Sequence, residues 1–212
     1  LMPIHPSPSY HKYDVTDYYD IDSSYGTLED FDKLVKEAHK RDIHIILDLV
    51  VNHTSNEHPW FVQAKQAYVS GISSKYVNWY NFSKTARGGY AKINNYAYYE
   101  ARFVDSMPDL NLDSEDVRAE IVNIMKFWLE KGVDGFRMDA TTSYYTGNTS
   151  ACTAFLSWLH DEAVKLNPDV YIVGECWESD SVIRTYYSSS DIDSFFHFSL
   201  AQSDGDIAKS LT

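Results

Sequence analysis

Only two cysteines occur in the 212 residues, Cys152 and Cys176. That excludes a disulfide framework and leaves the redox compartment open. No run approaches the roughly 18 apolar residues that a membrane-spanning helix needs. The opening LMPIHPSPSYHKYD has no initiator Met, does not read as a signal peptide, and starts like the end of a strand. It predicts an internal piece of a larger protein. Basic residues are scarce: 18 Lys and Arg stand against 31 Asp and Glu, a net charge of −13. This balance argues against nucleic acid and an anionic membrane as partners. What is abundant is aromatic, 15% of the chain with 17 Tyr. Such rings build a core, or flat faces for an uncharged ligand such as a sugar.

Periodicity gives the organisation. TLEDFDKLVKEAHKRD, from Thr27, predicts a helix with Thr27 as N-cap and Leu28, Phe31, Leu34, Val35 and Ala38 as its apolar face. Ile43 to Val51 is a nearly continuous β-branched run, expected of a strand covered on both faces, and Asp48 interrupts it. Residues 54 to 106 show no sustained period and are too long for a simple loop. SEDVRAEIVNIMKFWLEKG predicts a second helix capped by Ser114 and ended by Gly132. GVDGFRMDA, residues 132 to 140, reads as a buried strand. A third helix covers about Cys152 to Leu166, VYIVGEC is another strand, and SFFHFSL predicts a weaker strand near 194 to 200. Strands alternating with helices imply right-handed βαβ units and a parallel sheet. A (β/α)8 barrel and an open doubly wound sheet both fit this order.

The buried strand GVDGFRMDA carries an opposite-charge pair. Residues two apart on a strand share a face, so Gly135, Arg137 and Asp139 point one way. A structural ion pair tethering strand to loop is the plain reading of such a pair. The other strands shift the balance, because Asp48, Asp139 and Glu175 each terminate a predicted parallel strand. At one end of neighbouring strands they would cluster, where active sites of such barrels lie. Two carboxyls in unequal surroundings suit glycoside hydrolysis. Arg137 beside Asp139 favours a charged nucleophile, and the apolar neighbours of Glu175 (Cys176, Trp177) favour a protonated acid.

At these residues the chain resembles the α-amylase superfamily, glycoside hydrolase family 13. The matching segments run in family order: MPIHPSPSYHKYDVTDYY after the second barrel strand, DLVVNH (48 to 53) at the third, MPDLN (107 to 111) near the end of inserted domain B, GFRMDA (135 to 140) at the fourth and VGECW (173 to 177) at the fifth. The resemblance implies an α/β fold, a partial (β/α)8 TIM barrel of about strands 2 to 6 with domain B inserted after strand 3. Residues 1–53 would be the first barrel part, 54–106 domain B, and 107–212 the barrel from helix 3 to about strand 6. It implies a retaining glycosidase acting on α-glucosidic bonds of starch-type glucans or maltooligosaccharides. Asp139 is then the nucleophile, Glu175 the acid and base, and Arg137 the group that orients and charges the nucleophile. Tyr13, Asp14, His53 and Asp48 would serve substrate binding, with Tyr13 stacked on the sugar. Asn52 is implied as a ligand of a structural calcium, the one cofactor expected.

Two departures bear on this. The family's further acidic residue, in a His-Asp pair after the seventh strand, has no counterpart before Thr212, and the first strand is missing too. A closed barrel needs all eight strands, so the isolated chain is expected to be inactive. Thr142 and Ser143 stand where many α-amylases have Lys-His, which weakens endo-acting starch specificity and the usual calcium site. An oligo-1,6-glucosidase, a transglycosylase of the same superfamily and a non-catalytic sugar-binding relative stay open as alternatives. A polymeric substrate would imply secretion, and short oligosaccharides would suit the cytoplasm.

Overall fold

The structure is a computed structural model that describes residues 1–202 and 205–210. The chain begins in a pinned loop that leads to helix α1 (Leu28–His39). Thr27 Oγ1 accepts the Asp30 N–H at 3.2 Å, and the Asp30 carboxylate accepts the Thr27 N–H in return. This capping box satisfies two N–H groups that the first turn leaves free. Phe31, Val35 and Ala38 face the core, as expected, whereas Leu34 is 45% exposed. Its position lies past the edge of the buried stripe.

Strand β1 (Ile46–Leu49) is shorter than the apolar run that contains it, because Ile43 and His44 are exposed before the sheet begins. Helix α2 (Pro59–Ser70) and a 3-10 turn (Lys75–Trp79) follow. Strands β2 (Phe82–Ser83), β3 (Tyr90–Asn94) and β4 (Ala97–Glu100) then form a separate antiparallel sheet in the order β2-β4-β3. Phe61 of α2 packs against this sheet, its ring stacked on Phe82, tilted on Tyr99 and edge-on to the neighbouring Tyr80. Much of the aromatic content in this stretch is therefore lobe core.

Helix α3 (Glu115–Glu130) buries Val117, Ile121, Ile124, Met125 and Trp128. Its end turns at Gly132, whose φ of +87° is easy only for glycine. Strand β5 (Gly135–Met138), helix α4 (Thr149–Leu166), strand β6 (Tyr171–Gly174), helix α5 (Asp180–Ser189) and strand β7 (Ser194–Phe195) complete the α/β alternation. Helix α4 starts three residues before the expected point because Asn148 caps it, accepting from Ala151 N–H at 3.1 Å. The expected strand over 194 to 200 is corrected: only Ser194–Phe195 pair with β6, and helix α6 (Phe198–Ala201) follows at once, then α7 (Asp206–Ser210).

The main sheet is parallel, in the order β1-β5-β6-β7. Leu1 also bonds β1, through Ile46 O and Asp48 N–H. Each strand lies beside the next in sequence. A doubly wound sheet reverses its order at a switch point, and no reversal occurs among the described strands. The fold is a partial (β/α) barrel wall with a small antiparallel lobe between β1 and α3. Among the described residues, no helix is long and apolar enough to cross a membrane.

Candidate active site

Register builds the site. Asp48 pairs with Arg137 across β1 and β5, and Met138 pairs with Gly174 across β5 and β6. The next residues, Asp139 and Glu175, are thereby neighbours at the carboxyl ends of their strands. The ladder runs on beyond the strands: Glu175 N–H donates to Met138 O at 2.9 Å, and Thr141 N–H to Glu175 O at 3.0 Å.

The three carboxyls meet on one guanidinium. Arg137 Nη1 donates to both Asp48 oxygens, at 2.8 and 2.9 Å, and to Asp139 Oδ1 at 2.6 Å. Arg137 Nη2 lies 2.9 Å from Glu175 Oε2. The guanidinium sits between aromatic faces, 5.7 Å from the Tyr13 ring centre and 6.0 Å from that of Phe196. Tyr13 Oη donates to Asp48 Oδ2 at 3.0 Å. Glu175 Oε2 also accepts the Ala140 N–H at 3.1 Å. Ala140 has φ of +48°, an uncommon conformation for a residue with a Cβ, and it sits directly after Asp139.

One positive charge among three carboxyls leaves an excess of negative charge in a buried place. Burial pushes Asp139 up to about 7; Asp48 and Glu175 add to this and Arg137 opposes it. Burial also raises Asp48. For Arg137, burial acts downward but the three carboxylates outweigh it, and its charge is secured. Arg137 does favour the ionised form of Asp139, as expected, but burial and two neighbouring carboxylates act against it and prevail. Of the apolar neighbours expected around Glu175, Cys176 is buried, but Trp177 is 66% exposed and stacks on Phe198 at 4.4 Å, while Glu175 turns toward Arg137.

The remaining sequence candidates fall in two places. His53 is buried, its ring 5.2 Å from that of Phe103, and burial lowers it to about 4, so it is neutral at pH 7. Its Nε2 has no hydrogen-bond partner among the described residues. A buried unpaired nitrogen costs free energy unless a ligand satisfies it. Asp48, expected to touch substrate, instead has both oxygens taken by Arg137 and Tyr13. Asp14 is buried but apart from the cluster, where it accepts from Ser7 Oγ at 2.6 Å and from Ser9 Oγ. Phe196 and Phe103 were missed by sequence reasoning, because isolated aromatics in loops carry no periodic signal.

Asn52 sits at the lobe junction. Its amide donates to Asp109 Oδ1 at 3.4 Å, and Asp109 Oδ2 takes the Arg102 N–H at 3.3 Å. Calcium takes six to eight oxygen ligands. Among the described residues, no three His, Cys, Asp or Glu side chains come together so as to hold a metal. The Asn52 amide nitrogen is paired with Asp109 Oδ1, so its carbonyl oxygen and the Asp109 carboxylate are the donors there that would hold a calcium, and no step below is routed through one.

Carboxyls delivered by successive parallel strands to one end of the sheet, around a shared guanidinium, define the class: a (β/α)-barrel protein with an acidic cluster at the carboxyl ends of its strands, where such barrels carry their active sites. The family follows from comparison. The model of the α-amylase catalytic domain matches residues 1–211, and the chain belongs to that family of glycosidases. α-Amylase 3 of Dictyoglomus thermophilum is 47% identical over 209 residues, covering 95% of this chain and 40% of that protein. Glucan 1,6-α-glucosidase of Streptococcus pneumoniae is 35% identical over 226 residues, covering 97% and 42%. The solved structure of Eubacterium rectale Amy13B superimposes with a TM-score of 0.93 at 51% identity, over 99% of this chain and 42% of that one. The chain spans about two fifths of the length of the relatives it matches.

Proposed function

We propose that the protein carrying this chain is a retaining glycoside hydrolase that cleaves α-glucosidic bonds in starch-type glucans or maltooligosaccharides. The observation that carries this is the bonding of Asp139 and Glu175 to one guanidinium at the ends of adjacent strands. The Asp139 carboxylate attacks the anomeric carbon, the bond to the leaving oxygen breaks, and Glu175 gives that oxygen its proton. Glu175 then takes a proton from water, whose oxygen displaces Asp139 and frees the sugar with its original configuration. Arg137 aligns the attacking carboxylate. Tyr13 offers a ring face to the sugar, and the neutral His53 Nε2 takes a sugar hydroxyl as its missing partner.

The α-1,4 reading is supported by the similarity to an α-amylase, and the α-1,6 alternative by relatives named for 1,6-glucosidase action. A non-catalytic role is disfavoured because both carboxyls and Arg137 are present. Four parallel strands do not close a barrel, so the isolated chain is expected to give no turnover. In the full-length protein, Asp139→Asn is expected to lower kcat by at least about a thousandfold. Proton NMR of the first product formed should show the retained anomer. Near-normal turnover in the variant, or an inverted product, would remove the assignment.

A further inference from the structure

The antiparallel lobe is opposite in charge to the chain that carries it. Residues 54–106 hold six of the 18 Lys and Arg but only three of the 31 Asp and Glu, so the lobe is positive on a chain of net charge −13. Most barrel cations rest on carboxylates, as Lys12 does on Asp22 and Lys131 on Asp32. In the lobe, among the described residues, Arg102 alone has such a partner, Glu100 at 2.6 Å. Lys65, Lys75 and Arg87 lie over aromatic rings instead, the Arg87 guanidinium 5.7 Å from the ring centre of Tyr90. Lys84 and Lys92 are exposed. Three of these cations fall within KTARGGYAK, residues 84 to 92, a stretch with no acid.

Register gathers them. Tyr90 and Lys92 alternate along β3, and Lys92 pairs with Tyr98 on β4, so these three share a face of the small sheet. Ala91, Tyr99 and Phe82 take the other face, toward Phe61 of α2. Arg102 approaches the same corner, since a Cβ on Gly89 would lie 3.1 Å from its Nη1. Burial and Glu100 raise the Tyr90 hydroxyl while Arg87 and Arg102 act downward on it, so both guanidiniums are close to that ring.

Cations without carboxylate partners select an anion. At physiological salt their field reaches about 8 Å. A compact dianion therefore feels the patch and not the acidic barrel, whereas a nucleic-acid duplex or a membrane surface would meet both. The patch also adjoins the sugar site: Arg102 is followed by Phe103, whose ring lies 5.2 Å from that of His53. We propose that this face of the lobe binds a phosphate monoester carried by the glucan chain, with Arg87 and Lys92 as its ligands. Three acceptor oxygens and up to two charges suit two cationic donors. The inference rests on the glucan-cleaving reading above, and adds to it a preference for chains that bear sparse phosphate groups.

The test is calorimetric binding by the full-length protein in an Asp139→Asn background, which keeps the sugar intact. The probes are a phosphorylated maltodextrin and the same material after phosphatase treatment. The phosphorylated chain should bind roughly 3- to 10-fold more tightly at low salt, the range of two exposed charge contacts, and the preference should fade at high salt. Arg87→Ala combined with Lys92→Ala should abolish the preference and leave the Kd of the neutral chain unchanged, while Arg87→Lys combined with Lys92→Arg should keep it. Equal binding of the two probes, a preference that survives the double alanine variant, or an equal loss for both probes would overturn the inference. So would binding of duplex DNA or phosphatidylserine vesicles that the same variant abolishes. Equal binding alongside normal cleavage by the unmodified protein would leave the hydrolytic reading standing, whereas a phosphate preference in a protein that cleaves neither probe would sink that reading and uphold this one.

Discussion

Replacing Asp48 by Asn separates two roles that are easily confused. As a substrate ligand, Asp48 would raise KM when changed and leave the ionisations alone. As placed, it grips Arg137 Nη1 with both oxygens, at 2.8 and 2.9 Å, on the same nitrogen that holds Asp139 at 2.6 Å. It is a positioning residue that also crowds Asp139 with negative charge. Asn keeps the shape and removes the charge. Two unit charges at 4 Å interact by about 4 kcal/mol at an effective dielectric of 20. Asp48 and Asp139 are screened by the guanidinium that both bind, so about a third to a half of that is realistic, roughly 1 to 1.5 pH units. The sign follows from the direction of the perturbation: Asp48 raises Asp139, so its loss lowers Asp139 from about 7. The ionised nucleophile then persists to lower pH, and the acid limb of kcat/KM moves down. Slacker alignment of Arg137 should lower the plateau about 10- to 100-fold. The assay is kcat/KM against pH from 4 to 9 in the full-length protein. An acid limb that stays in place or moves up would refute the electrostatic argument, and a rise in KM alone would return Asp48 to substrate binding.

Thr27→Ala removes the capping box of α1 and should lower stability by about 1 kcal/mol, read by urea denaturation; no change would show that tertiary packing alone fixes the helix start. His5 is buried against Tyr18 and Trp128, and burial lowers it to about 4, whereas the unfolded chain protonates near 6.5. The unfolded state therefore binds the extra proton, and His5 withdraws stability as pH falls from about 6.5 to 4, by roughly 2 to 3 kcal/mol. The difference in unfolding free energy between the wild type and His5→Gln should shift against the wild type across that window, and a flat difference would contradict it.

Much of the site was legible because strand register is a local property. Apolar runs that carry Asp48, Asp139 and Glu175 at or near their ends announce parallel strands, and the sheet register brings those residues together. Helix caps at Thr27 and Ser114 were equally plain. What stayed hidden depends on contacts between distant segments. Nothing in the spacing shows that one guanidinium serves three carboxyls, so the proton balance of Asp139 was misjudged. The short β7 was overread because SFFHFSL has strand-like composition, while Gly174 leaves room only for Phe195 to pack: a Cβ there would lie 2.4 Å from its ring. The turn after it is set by tertiary fit, which composition does not encode.

The backward twist at Ala140 has a wider implication. Its peptide N–H ends on Glu175 Oε2, so the link that follows one reactive group also tethers the other. A bulky β-branched residue at 140 would resist the left-handed turn, and with it both partners would drift together. Inherited change at this point would thus be filtered by two demands at once, and damage measured at either carboxyl separately would overstate what their joint removal costs.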